Sequence, residues 1–270
     1  MRFIAPARED VDPVVFTRPP LSDWCDFRDL LCGSDWPDVA ALNERVSGPA
    51  PRFVTQTPAL LADGLHYEQR IAERGEIATR ERNWHDLLNA LVWLRFPALK
   101  AALNARQMAG IAAVGPKRRT RAQQALTHFD EAGVIALVRD PVLLPLWDAH
   151  DWHGLFWRES QAWRDGRIEA IVFGHALLEH ALIAGQLIVG KTIAVYAPQN
   201  PNVDNAHIID HVASALRRGE LLDDPQELRP LPLSGIPGWH PDTATESFYR
   251  TAPCFRPLRA SRQYPQALQL

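Results

Sequence analysis

Three cysteines in 270 residues, Cys25, Cys32 and Cys254, are too few and too scattered for a disulfide framework or a structural zinc site. Reduced thiols and a cytoplasmic location are the expectation. The first residues carry Glu9 and Asp10 where a secretory signal would need an apolar stretch, so no signal peptide is expected. The most membrane-like run, residues 170–190, contains His175, Glu179, His180 and Gln186. Ionisable groups at bilayer depth are costly, so this run reads as strand, helix and loop of a water-soluble core, with no membrane partner. An excess of positive charge is also missing. The formal net charge is −3, which gives no electrostatic reason to expect nucleic acid. The basic run Lys117-Arg118-Arg119-Thr120-Arg121 reads as solvated surface. There is no Walker A run, no G-x-G-x-x-G, no G-x-S-x-G and no C-x-x-C. P-loop nucleotide binding, a dinucleotide Rossmann site, an α/β-hydrolase and thioredoxin-type redox chemistry are thereby disfavoured.

Prolines (22) and glycines (15) punctuate what remains. Residues 1–20 read as extended. A helical pair occupies 21–47: the first helix ends at Gly33, and the second is opened by Ser34 or Asp35 and ended by Gly48. Phe53-Val54-Thr55 reads as a short strand, and 65–80 alternates well enough for a hairpin. Helices follow over 83–96, 97–113 and 117–131, the first capped by Asn83. Val134 to Val138 is a continuous β-branched-rich run, hence a buried strand. Residues 141–164 read as helical, 168–173 as a strand, 175–184 as a helix, 192–196 as a strand and 203–218 as a helix. The expected class is α+β, predominantly helical, with a sheet of about three to five short strands covered by helices. A single domain spans 1–270, with its core at about 52–222 and an irregular proline-rich wrap over 223–270.

The chemistry concentrates on the helix that opens at Asn83. Placed at about 100° per residue, Leu87, Leu88, Leu91, Val92 and Leu94 share one arc, and His85, Asp86, Asn89 and Trp93 share the other. A solvated face would carry Lys and Glu, so the polar arc reads as a site or a buried polar network. His85 can serve as a general base or a metal ligand, with Asp86 or Asn89 orienting it. Asp86 equally suits the helix N-terminus. His175 and Glu179 form a second i, i+4 pair on a helix that begins at the carboxyl end of a strand, where ligands bind in α/β sheets. There the carboxylate would raise the basicity of the imidazole one turn away. His207 and His211 have the spacing of a helical zinc site, but no third ligand follows at a diagnostic distance. Arg80 can bind an anion or pair with Asp86. Thr127, Asp130 and Glu131 end a helix; paired acids there could bind a divalent cation or act in acid/base chemistry, but two adjacent acids on a helix are usually solvated.

Several blocks together resemble the proteobacterial domain-of-unknown-function family 3025. They are Tyr67-Glu68, Gly75 to Arg80, Asn83 to Trp93, Phe96-Pro97, Lys100, Phe129 to Gly133, Phe173 to Glu179, Gly235 to Trp239 and Phe255 to Pro257. The resemblance spans residues 67 to 257 and implies no activity. It does imply that the His85 and His175 helices belong to one recurring architecture. The chain departs from the family pattern at Leu88, where Phe is expected, and at His128, which therefore carries no functional weight.

Two readings stand. In the first the protein is an enzyme of hydrolase or transferase type. Its catalytic group is His85, Asp86, Asn89, His175 and Glu179, and Arg80, Glu68 and Trp93 bind a small-molecule substrate. A divalent metal is compatible but not required, and no metal ligands are assigned. In the second the protein is a non-catalytic binding or adaptor protein for a protein partner, and the cluster is a fully buried network. The first requires the His85 and His175 side chains to lie within reach of one substrate group, under about 12 Å.

Overall fold

The computed structural model describes residues 3–48, 50–198 and 204–270. Among the described residues seven strands form two sheets, surrounded by many helices. In the smaller sheet β1 (Arg52–Thr55) and β2 (Glu76–Thr79) run parallel, with Phe53 opposite Ile77. Parallel neighbours need a crossover, and the crossover is the helix Tyr67–Arg74. This corrects the expected hairpin at 65–80. Gly75 sits at φ 66°, the left-handed stop of a helix, so the alternation that suggested a strand is that of an amphipathic helix. Its buried Arg70 donates to Glu76 Oε2 (2.9 Å) and to the Leu60 carbonyl (2.7 Å), and it is also paired with Asp63.

The larger sheet has the order β4-β3-β5-β6, with β7 (Leu268–Gln269) pairing the far end of β5. Strand β3 (Gly133–Val138) is buried at every residue, as its unbroken apolar run requires. It runs antiparallel to β4 (Ile168–Val172) and parallel to β5 (Val189–Tyr196). Strand β6 (Arg229–Pro232) pairs antiparallel with β5, so the C-terminal segment supplies two strands and is not wholly irregular. Proline at 230 and 232 is tolerated because β6 lies at the edge of the strand order.

The helix Trp84–Arg95 is capped as its sequence dictates, with the Asn83 side chain accepting from Asp86 N at 3.0 Å. Pro97 then opens the helix Pro97–Val114 at its first position, where a missing N–H costs nothing. Thr120 and Gln123 close a capping box before the helix Arg121–Ala132, so that helix begins four residues later than expected. Asp38, not Ser34 or Asp35, caps the short helix Val39–Asn43. Residues 8–17 make tight 3-10 turns in place of extended chain. The stretch 141–164 breaks into Leu143–Asp148, a π turn at His153–Arg158 and Ser160–Arg164. The helix at His175 stops at His180, short of 184. The helix expected from 203 runs Asn205–Arg218 behind an Asp204 cap; residue 203 itself and residues 1 and 2 lie outside the described residues.

Buried apolar residues from Val11 to Ala267 form one contiguous cluster, in which Trp24, Trp147, Phe129, Phe156 and Phe173 are the largest fully buried side chains. Phe129 and Phe173 stack with centroids 5.2 Å apart. Immediately after each comes a residue pair that decides the site. Gly133 O accepts from both Phe173 N (3.0 Å) and Gly174 N (2.8 Å). A Cβ on Gly174 would lie 2.4 Å from Gly133 N, and one on Gly133 would lie 2.1 Å from Phe129 O. At 174 only glycine permits this approach, whereas at 133 glycine answers to the preceding turn of its own helix. The approach places the C-terminus of the helix ending at Ala132 against the N-terminus of the helix starting at His175.

Candidate active site

Three elements meet at one end of a cavity of about 370 Å³. From the Trp84 helix comes His85, from the end of the Arg121 helix Glu131, and from the first position of the His175 helix His175 itself. The two imidazoles lie edge to face with Nε2 to Nε2 at 3.1 Å, and Glu131 Oε2 lies 3.5 Å from His175 Nε2. His85 Nδ1 faces Glu179 Oε2 at 3.1 Å. The distance condition set by the sequence reading is met with a wide margin, but the pairing is crossed. Glu179 serves His85 on the other helix, not His175 one turn behind it.

The other expected orienting contacts fall differently as well. Asp86 accepts from the backbone N–H of Arg80 at 2.6 Å and from Arg80 Nε and Nη2 at 3.0 and 2.7 Å. Both its oxygens are thus committed, and it holds β2's exit to the helix start in place of His85. Asn89 donates to the Tyr67 hydroxyl at 2.9 Å and accepts from Lys100 Nζ at 2.9 Å. Lys100, only 3% exposed, also donates to Asp130 Oδ1 at 2.6 Å and stands 5.3 Å from the Trp93 ring centroid. Glu68 accepts from Asn104 Nδ2 at 2.6 Å. Arg80, Glu68 and Trp93, the expected substrate-binding residues, all line the cavity.

The electrostatics separate the two imidazoles. The carboxylate of Glu179 raises His85 above its ordinary range against the opposing effect of burial. Burial pushes His175 down to about 3 and so keeps it neutral. Burial opposes ionisation of Asp130, yet Lys100, His175 and His85 together outweigh it and hold that carboxyl below the usual range. Burial raises Glu68 and Glu131 above theirs and raises the Tyr67 phenol as well.

Among the described residues, His85, Glu131 and His175 each offer a ligand atom within 4.8 Å of the others. A divalent ion at 2.0–2.2 Å from its ligands sets those ligands about 3.3 to 3.6 Å apart in a tetrahedral site. The Glu131–His175 separation of 3.5 Å lies in that interval, and the His85–His175 separation of 3.1 Å falls just short of it. A carboxylate on the far nitrogen of a ligating histidine is the usual outer support of such a centre, and Glu179 stands there.

The family model described as "Protein of unknown function (DUF3025)" matches residues 51–259. The chain belongs to the DUF3025 family. Every residue of the cluster falls inside the matched span of this DUF3025 chain, and so do both glycines of the Gly133–Gly174 contact. No curated protein and no solved structure matches it. Among the described residues no helix is long and apolar enough to cross a membrane.

Lys100 and Tyr67 carry no signal of a site in the sequence, and Asp130 and Glu131, a pair that could bind a cation or act as acid and base, read there as solvated. Glu131 was set aside as a solvated acid because the preceding residue is also acidic. The informative signal was its place two residues before Gly133, in a block that carries the family resemblance. Arg118 and Arg119, read as plain surface, also line the cavity, whereas Arg121 of the same run is bound to Asp224. His128 is exposed. His211 is outside the site, its Nε2 lying 2.9 Å from the Gln269 carbonyl.

Proposed function

We propose that this DUF3025 chain is a metal-dependent hydrolase whose ion is held by His85, His175 and Glu131. The observation that carries the reading is the convergence of three ligand atoms, with Glu179 behind His85. The bound ion would act as a Lewis acid and lower the pKa of a coordinated water to about 7. Glu179 would accept a hydrogen bond from Nδ1–H of His85, leaving Nε2 as the nitrogen free to hold the ion. Burial keeps His175 neutral, the form in which a histidine ligates. Water supplies the attacking oxygen: its bond to the substrate's electrophilic centre forms as the bond to the departing group breaks. The proton released from that water ends on the departing group. Glu68, held above the ordinary carboxylate range in the same cavity, is the acid suited to deliver it. Arg118 and Arg119 favour a small substrate with an anionic end.

A fully buried structural network is the less supported reading. His85 retains 32% of its side-chain exposure, and the cluster opens on a cavity. The deciding experiment is metal analysis and calorimetric titration with Zn²⁺ and Mn²⁺ on the wild type, H85A, H175A and E131A, with circular dichroism as the folding control. One ion per wild-type chain, lost in all three folded variants, is the expected result. Absence of stoichiometric binding, or binding that survives H85A and H175A, refutes the reading.

A further inference from the structure

A second cavity, of about 630 Å³, opens between β5, the edge strand β6 and the segment 253–264. Among the described residues four cations line it, namely Lys191, Arg256, Arg259 and Arg262, and no aspartate or glutamate does. Among the described residues none of the four is in a salt bridge. The acids on flanking segments are already engaged: Asp224 is bound to Arg121, and Asp148 accepts from Arg229 Nε at 2.7 Å. Like charges gathered in this way repel one another, and a fold keeps them together when an anion completes the site. Partial desolvation of the exposed Lys191, and then Arg262, Arg259 and Arg256, push its amine below the ordinary range.

The cationic wall is built, not a loose fringe. Lys191 projects from the middle of β5, opposite Pro230 of β6. The segment carrying the arginines is tied to the body at several points. Trp152 Nε1 donates to the Arg256 carbonyl at 2.7 Å, Arg229 donates to the Pro265 carbonyl, and Arg262 donates to the Leu228 carbonyl at 3.4 Å and stands 4.7 Å from the Tyr264 ring centroid. Leu187, Val189, Leu228 and Pro253 give the cavity an apolar stretch, beside which stand His150, Gln226 and Tyr264. A cavity of this size with a charged half and an apolar half suits a drug-sized organic ligand. Arginine forks match phosphate oxygens in pairs.

We propose that this second cavity binds a small organic phosphate, its phosphate groups held by Lys191, Arg256, Arg259 and Arg262 and its organic body against the apolar wall. The site is separate from the His85 cluster and does not depend on the metal reading. Calorimetric titration of the full chain with ADP, with inorganic pyrophosphate and with adenosine tests it. The probes are used metal-free so that no ion bridges them to the first site. Saturable binding of ADP is expected, at least tenfold tighter than pyrophosphate and far tighter than adenosine. In the R256Q/R259Q double variant it should weaken at least tenfold, and in K191Q several-fold, whereas R118Q/R119Q in the first cavity should leave it unchanged. These lysine and arginine positions are exposed or half-buried, so the variants are expected to fold; melting temperature checks this. No saturable binding of ADP overturns the proposal. So does binding that R256Q/R259Q leaves intact or that R118Q/R119Q abolishes. Equal affinity for pyrophosphate and ADP overturns the organic half of it.

Discussion

Beside His85 the buried charges are matched inside the protein, whereas around Lys191 charge is left open. In the first cavity Lys100 meets Asp130 and Asn89, Arg80 meets Asp86, and His85 meets Glu179. In the second, Lys191 and three arginines share a wall with no carboxylate. Both contain a lysine on a rigid element, one on a helix and one on a strand. The contrast is instructive because a cation's worth depends on its surroundings and not on its identity. Lys100 completes a buried network whose polar members would otherwise be stranded. Lys191 has no ion-pair partner among the described residues.

The sharpest way to break that comparison is to remove each lysine in turn. K100M leaves Asp130 without its cation and Asn89 without a donor, and loss of one partner of a buried pair costs about 3 kcal/mol or more. K191M removes a repelling charge from an open cavity, so stability should hold or rise by up to about 0.5 kcal/mol. Urea denaturation of both variants measures the difference. Equal losses would mean that the two cavities do not differ as described. A smaller effect is expected from E179Q, which keeps the shape of the support behind His85 but weakens it as an acceptor. Metal affinity should fall about 10- to 100-fold, as for other outer-shell changes, while the ion stoichiometry stays the same. Titration of zinc against a competing chelator reads this directly.

The smallest effect concerns acidity in the second cavity. Burial holds His150 below its ordinary value of 6.5, Arg262 adds to this, and Asp148 and the Arg256 and Pro257 carbonyls oppose it. Tyr264 also faces its ring, with the hydroxyl 2.8 Å from Nε2. A histidine whose folded pKa is depressed favours folding fully above 6.5. That contribution is lost as pH falls below 6.5, because the unfolded chain takes up the proton first. Stability of the wild type should therefore fall more steeply between pH 6.5 and 5 than that of H150Q. Parallel slopes in chemical denaturation at the two pH values would remove His150 from the account.

Much of this architecture was legible in residue order. The Asn83 cap, the Pro97 restart and the buried run at Val134 are local signals, and local physics decides them. The hairpin at 65–80 failed for a related reason. Over seven residues an amphipathic helix and a strand give similar alternation, and only Gly75 tells them apart. The candidate site was legible at the level of blocks and not of contacts. His85 and His175 were identified from polar clustering on helices. Glu179's partner could not be, since it depends on how two helices 90 residues apart are laid side by side. Glu131 was lost because an acid next to another acid at a helix end is usually solvated. Here one of the two, Asp130, turns inward to Lys100, and the other reaches His175.

The contact between Gly133 and Gly174 bears on whether the centre can be moved. Neither histidine carries its own geometry, because the separation between Glu131 and His175 is set by two backbones touching where no side chain fits. A designer who grafts only the three ligands onto another scaffold would import their chemistry without their spacing. The transferable unit is the strand start, the helix start and the pair of bare α-carbons between them.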